Sequence, residues 1–283
     1  MLVAYQGEPG ANSEIAAFAH FGEGTTVEPC ETFEKVFKAV NEGRCERGII
    51  PIENSVAGSI YQNYDLLLQF PLEVVGEYYL QISHYLIGIP GSSVKDLKKV
   101  ISHPQALAQC DRFLNSLEGV NYEPVYDTAG SVKIIKEMND PKVAAIASRQ
   151  AAEIYGMEIL EENIENTAAN YTRFQIISRR REDPGKDAKT SIVFAMKNQA
   201  GALYRGLSVF ALRDIDLTKI ESRPLVGKPW EYFFYIDLAG SIFEERVQRA
   251  LANLEEYTTF LRVLGSYPRF AFRDLVKVAE SQI

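Results

Sequence analysis

An amide, a phenol, a hydroxyl, a guanidinium and a benzyl ring follow one another in Asn170-Tyr171-Thr172-Arg173-Phe174, within the run TAANYTRFQIISRRR. These residue types suit either a polar strand end or a site for a small acid. Alternate side chains of a strand face opposite ways, so Asn170, Thr172 and Phe174 share one face and Arg173 takes the other. One ligand meets both faces only where the strand twists, bulges or begins. Otherwise Arg173 pairs with a nearby carboxylate, as surface arginines commonly do.

Other polar stretches fall at strand exits and helix starts, where α/β clefts place ligands. YQGEPGANSE makes a tight turn into a helix; Ser13 or the free N–H groups there hold an anion, or the turn merely caps the helix. PIENSVAGSI puts Glu53, Asn54 and Ser55 at the exit of a buried strand, and Gly58-Ser59 lets another backbone approach; helix capping is the alternative. In ISHPQALAQC, Pro104 opens a helix with His103 or Ser102 at its cap, a position that favours a neutral imidazole. In DTAGS, Thr128 and Ser131 begin a further helix, as ligand groups or as caps. No GxGxxG follows a strand, and P-loop, HExxH and CxxC motifs are missing. His20, His84 and His103 lie far apart in sequence. Metal and nicotinamide chemistry therefore lack support. The set suits a small polyanion held by dipoles and one or two cations.

The elements that must position these groups are legible. A length of 283 residues favours two domains. A hydrophobic content of 46% and a charged content of 24% are those of a soluble globular chain. No apolar run reaches the ~18 residues of a membrane span. MLVAYQGEPG lacks the basic and apolar regions of a signal peptide. Cys30, Cys45 and Cys110 are odd in number and scattered, which suits free thiols in a cytoplasmic protein. Net charge is −8, and the one basic cluster, Arg179-Arg180-Arg181, runs straight into Glu182 and Asp183. That pattern argues against a nucleic-acid partner.

Strands alternate with amphipathic helices over the first ~180 residues, the pattern of an α/β domain. NSEIAAFAHF reads as a helix. So does TFEKVFKAVNEG, with Thr32 as cap, Gly43 as stop, and Phe33, Val36, Phe37 and Val40 on one face. SIYQNYDLLLQF and PQALAQCDRFLNSL read as further helices. LEVVGEYYLQISHYLIGIP reads as a long β stretch that crosses between two lobes, leaving a cleft. RREDPGKDAK interrupts the periodicity and marks a domain boundary. Beyond it the order is β-α-β-β-α-β, a ferredoxin-like sandwich. FAFRDLVKVAESQI reads as a helical tail.

YQGEPGANSE, PIENS, SHPQALAQC and NYTRF, in this order and spacing, resemble prephenate dehydratase. GALY and ESRP, inside the β-α-β-β-α-β module, resemble the ACT regulatory domain of the same enzymes. The resemblance spans nearly the whole chain. SIYQNYDLLL and SHPQALAQC also resemble the arogenate dehydratase branch, which acts on the amino analogue of prephenate. YQGEPGANS departs from the GPEGTFS form of bacterial members, so both substrates stay open. The resemblance implies a catalytic domain over residues 1–183, two-lobed like type II periplasmic binding proteins. It implies an ACT domain over 188–270 and a tail over 271–283. It further implies conversion of prephenate to phenylpyruvate, carbon dioxide and water without cofactor or metal. L-Phenylalanine would be the feedback inhibitor, and the assembly a homodimer or homotetramer.

Prephenate is a dianion that becomes aromatic on losing carbon dioxide and hydroxide. On this resemblance Thr172 contacts the leaving hydroxyl, Arg173 clamps a carboxylate as a bidentate fork, and Phe174 keeps water from one wall. Asn170 and Asn54 donate to carboxylate oxygens, and Ser55, Ser59 and Thr128 do likewise. Ser13 and Gln105 complete the substrate contacts. Gly201, Ala202 and Leu203 of GALY, with Glu221, Ser222, Arg223 and Pro224 of ESRP, would form the phenylalanine site. A sensor without catalysis is the reading from a different class; it would carry an output domain, for which the chain has no room.

Overall fold

The computed structural model describes residues 1–225 and 230–270; the tail read as helical over 271–283 lies outside them. The chain forms two compact units. Met1–Phe70 with Tyr78–Gln175 make the first, and Pro71–Glu77 with residues 176–270 make the second.

Up to Ser178 the elements are, in chain order, β1 (Leu2–Gln6), α1 (Asn12–Phe21), β2 (Thr26–Cys30), α2 (Phe33–Asn41), β3 (Arg47–Asn54), β4 (Gly58–Ser59) and α3 (Tyr61–Gln69). Strand β5 (Glu73–Gln81) follows, then β6 (Tyr85–Gly88), β7 (Lys99–Ser102), α4 (Pro104–Gln109), α5 (Asp111–Asn115) and β8 (Asn121–Pro124). The run ends with α6 (Thr128–Met138), β9 (Val143–Ala147), α7 (Arg149–Tyr155), β10 (Glu158–Glu161) and β11 (Tyr171–Ser178). Two sheets result. One has the order β2-β1-β3-β11-β5, with β4 hairpinned onto β3; the other has the order β10-β6-β9-β7-β8.

The pairings β1–β2, β1–β3, β7–β8 and β7–β9 are parallel. Strands covered on both faces need continuous apolar sequence, and β9, VAAIA, is buried at every position. The stripe read on α2 is the buried one: Val36, Phe37 and Val40 face the core, and Thr32 caps the helix by accepting from Lys35 N.

The long β stretch is broken at residues 82–84, where the chain passes from the first sheet to the second. Helix α3 starts two residues later than the sequence suggested, because Gly58 and Ser59 pair with Asn54 and Glu53 instead. The helix PQALAQCDRFLNSL divides at Cys110, whose ψ of 17° leaves the helical range. Strands β2 and β10 were not read from the sequence. Both are short, and β2 carries a proline at position 29.

The second unit holds β12 (Ala188–Met196), α8 (Ala202–Ala211), β13 (Leu217–Pro224), β14 (Tyr232–Ala239), α9 (Glu245–Glu255) and β15 (Thr258–Pro268). Its sheet runs β13-β14-β12-β15, antiparallel throughout. This is the ferredoxin-like order that the sequence pattern predicts. Val247, Ala250 and Leu254 of α9 pack with Val209 and Phe210 of α8 onto Ile192, Phe194 and Ile236. Gly265 of β15 has no room for a side chain, since a Cβ there would meet the Val74 carbonyl oxygen at 2.0 Å. Lys189 and Glu77 form a buried ion pair at 2.7 Å in this unit.

Candidate active site

Within the first unit the chain crosses between its two sheets twice, at residues 82–84 and again at 162–170. The two crossovers are bonded to each other. Ile82 N donates to Asn170 O at 2.7 Å, Ile164 N to His84 O at 3.0 Å, and His84 N to the Glu165 carboxylate at 2.8 Å. Asn170 and His84 therefore sit on the paired connections of the two lobes. Asn54 and Thr172 belong to the first sheet, and Gln109 ends α4 beside the second.

A single hydrogen-bonded network joins these residues. Asn54 Nδ2 donates to Asn170 Oδ1 at 2.8 Å and to Thr172 Oγ1 at 3.0 Å. Asn170 Nδ2 donates to Gln109 Oε1 at 3.1 Å, and Gln109 Nε2 donates to Asn54 Oδ1 at 3.3 Å. His84 Nε2 lies 2.8 Å from Gln109 Oε1. An amide oxygen only accepts, so the histidine proton is on Nε2. Burial lowers the His84 pKa against smaller opposing effects of Gln109 and Glu165, which favours the neutral ring. The Asn54 carboxamide is held from both ends, because its oxygen also accepts from Val56 N at 3.0 Å and Ala57 N at 2.8 Å.

Thr172 opens from this network into a cavity of about 490 Å³. Asn54, His84, Gln109, Thr172 and Phe174 line it together with Ser13, Gln105 and Thr128. The first residues of several helices reach the same space: Asn12 and Ser13 of α1, Phe33 of α2, Gln105 of α4 and Thr128 of α6. Three of those helix starts are capped by their own chain. Thr32 caps α2, the His103 ring accepts from Gln105 N at 3.3 Å, and Asp127 accepts from Gly130 N at 2.6 Å. No side chain caps α1, because Ala11 stands at the cap position. Its first N–H groups are thus suited to an anion.

The sequence-based site divides accordingly. Asn54, Thr172, Phe174, Ser13, Gln105 and Thr128 all reach the cavity, and Asn170 touches it through the network. Arg173 departs from the expected clamp. It is 4% exposed, with its guanidinium 4.0 Å from the Glu53 carboxylate and 5.9 Å from the centre of the Tyr79 ring, and it is not among the lining residues. The strand stays regular through this point, so alternation turns Arg173 away from Thr172. Among the described residues no Lys or Arg lines the cavity, which corrects the expectation of one or two cations there.

Ser55 is spent on backbone: its hydroxyl donates to Ala169 O and accepts from Tyr171 N. Ser59 sits in β4, opposite Glu53, and does not line the cavity. His84, Gln109 and Asp127 are cavity residues to which sequence reasoning gave no role. The polar Gln109 in an otherwise apolar stretch and the acid before Thr128 were the available signals, and His84 carried none.

In the second unit Gly201 caps α8 with a φ of 75°, while Ala202 and Leu203 pack against the unit's own core. Glu221, Ser222, Arg223 and Pro224 lie on β13, an edge strand, paired with residues 232–235. Glu221 is 3.6 Å from Lys219. A pocket of about 260 Å³ includes Ala202, Arg205 and Tyr257 but none of the ESRP residues.

Residues 3–182, which contain the cavity and its network, match the profile of the prephenate dehydratase family. The chain belongs to the prephenate dehydratase family. It is a lyase of the prephenate/arogenate dehydratase type. Arogenate dehydratase/prephenate dehydratase 6, chloroplastic, of Arabidopsis thaliana is 48% identical over 286 residues, covering 95% of this chain and 69% of that one. Among solved structures, the prephenate dehydratase of Arthrobacter aurescens in complex with L-Phe has a TM-score of 0.88 at 31% identity, covering 95% of this chain and 90% of that one. A structure described as GqqA, a novel type of quorum quenching acylase, has a TM-score of 0.87 at 36% identity, covering 96% and 100%. The dehydratase assignment rests on the family match and the first two comparisons. Among the described residues, no helix is long and apolar enough to cross a membrane.

Proposed function

We propose that residues 1–183 catalyse a decarboxylating dehydration, of prephenate to phenylpyruvate or of arogenate to phenylalanine. The contact between Asn54 Nδ2 and Thr172 Oγ1 carries this reading. Because the threonine oxygen accepts there, its own proton is left to donate. Thr172 O–H then hydrogen-bonds the leaving hydroxyl as the ring loses carbon dioxide and becomes aromatic. A positioned donor of this kind contributes about 10²–10⁴-fold to rate. The uncapped start of α1, with Ser13, holds one carboxylate, and Gln105 with Thr128 orients the rest of the dianion. Phe174 closes one wall against water. Arg173 supports the strand through its contacts with Glu53 and Tyr79 rather than clamping substrate. The steps use only groups of this chain.

We assign residues 188–270 to a regulatory ACT domain that binds L-phenylalanine and oligomerises the enzyme. The β-α-β-β-α-β order and the L-Phe bound to the Arthrobacter aurescens relative support this. Leu203 packs on the unit's own core and Glu221 faces Lys219, so a ligand site built on GALY and ESRP would draw on a second subunit. All three cysteines are free and buried, which favours a reducing compartment.

The decisive experiment incubates purified, chelator-treated protein with prephenate and with arogenate separately and identifies the products. Phenylpyruvate from the first or phenylalanine from the second is expected; formation of neither would end the dehydratase reading.

A further inference from the structure

The substrates considered above bring carboxylates, yet the cavity already contains one. Asp127 lines it and is 8% exposed. The other lining carboxylate, Glu31, is exposed and paired with Lys35. Asp127 has no such partner among the lining residues. The nearby His103 ring is held towards its neutral form by burial, as is His84. A second anion placed in this cavity would be repelled by an unneutralised carboxylate, and more strongly here than in water.

Capping does not explain the charge. Asp127 caps α6 by accepting from Gly130 N at 2.6 Å, and it also accepts from the backbone N–H of Glu8. Serine or asparagine would cap as well without burying a charge. Moreover, a carboxylate offers about four acceptor positions. Two backbone donors leave capacity for more.

We infer that Asp127 binds the α-ammonium of the substrate and thereby sets a preference for arogenate over prephenate. The inference rests on the dehydratase reading and goes beyond it by naming the residue that discriminates. The two substrates differ only at this side chain: an ammonium presents three donors, whereas a keto oxygen presents lone pairs to a group that itself only accepts. The sign of the discrimination follows, attraction for one and repulsion for the other. Burial raises the Asp127 pKa, and a bound ammonium would draw it back towards the ionised form.

The test measures kcat/KM for both substrates in the wild type and in Asp127→Asn and Asp127→Ser, with thermal melts to establish folding. Each replacement keeps a cap acceptor and removes the charge. The wild type should favour arogenate. The ratio of its kcat/KM values, arogenate over prephenate, should fall about ten- to hundredfold in the variants, the worth of one charged hydrogen bond. A wild type that prefers prephenate overturns the inference whether or not the variants fold. Equal losses on both substrates in folded variants overturn it too, by assigning Asp127 to chemistry the two share. No turnover of either substrate by the wild type would instead remove the dehydratase reading itself.

Discussion

The Thr172 hydroxyl carries one proton, and its neighbours decide where that proton points. With Oγ1 accepting from Asn54 Nδ2, substitution by alanine removes the donor and leaves the amide network otherwise intact. Thr172→Ala should therefore lower kcat by about 10²–10⁴-fold while changing KM far less, and Thr172→Ser should recover most of the loss. Steady-state kinetics on the active substrate decides it; an unchanged kcat in the alanine variant would remove Thr172 from the reaction.

His84 makes a different prediction. Its ring is buried and its pKa lowered, so the folded protein resists protonation that the unfolded chain accepts near pH ~6.5. Between those two values the unfolded state binds more protons, so stability falls as pH drops through the window and is whole above it. His20 and His103 are shifted in the same direction and add to the slope. Urea midpoints from pH 7.5 down to 5 should decline in the wild type and decline less steeply in His84→Gln. An identical slope in the variant would mean that His84 titrates normally.

At the scale of elements, the turn before α1 is fixed by close approach as much as by sequence. Gly10 has a φ of +89°, and a Cβ there would lie 2.6 Å from the Ala151 Cα. Its carbonyl accepts from the Ser148 hydroxyl at 2.7 Å. The turn therefore seats itself on the start of α7. Gly10→Ala should cost about 1–3 kcal/mol from the backbone conformation alone, with contact strain in addition. Differential scanning calorimetry should show a clear fall in Tm, and an unchanged Tm would mean that the turn and α7 separate easily. The other helix starts illustrate why motif reading was ambiguous. Thr32, His103 and Asp127 all serve as caps, yet cavity lining includes the same turns. A cap residue and a ligand residue have the same sequence signature, since both are short polar side chains beside free N–H groups.

Over the whole molecule, feedback is the property to test. If unit two binds L-phenylalanine and biases the catalytic unit, saturating ligand should shift the substrate half-saturation by about 5–150-fold, the usual range of coupling between sites. Initial rates with and without L-phenylalanine measure it; no shift would remove the regulatory reading of the second unit. Local periodicity determined most of the architecture, because helix and strand patterns are properties of consecutive residues: α1, α2, the β-α-β-β-α-β order and the change of pattern after Ser178 were all visible. NYTRF and PIENS marked where polar groups gather, and alternation along the strand already separated Arg173 from Thr172. Only the tertiary structure decided which of these groups meet. Asn54 and Thr172 are 118 residues apart in sequence, and Gln109 reaches Asn54 from the other lobe. Such pairings depend on how two sheets are joined by their crossovers, and no local pattern encodes that distance. The same holds for Asp127, which the sequence left without a role and which the fold encloses in a cavity with Thr172.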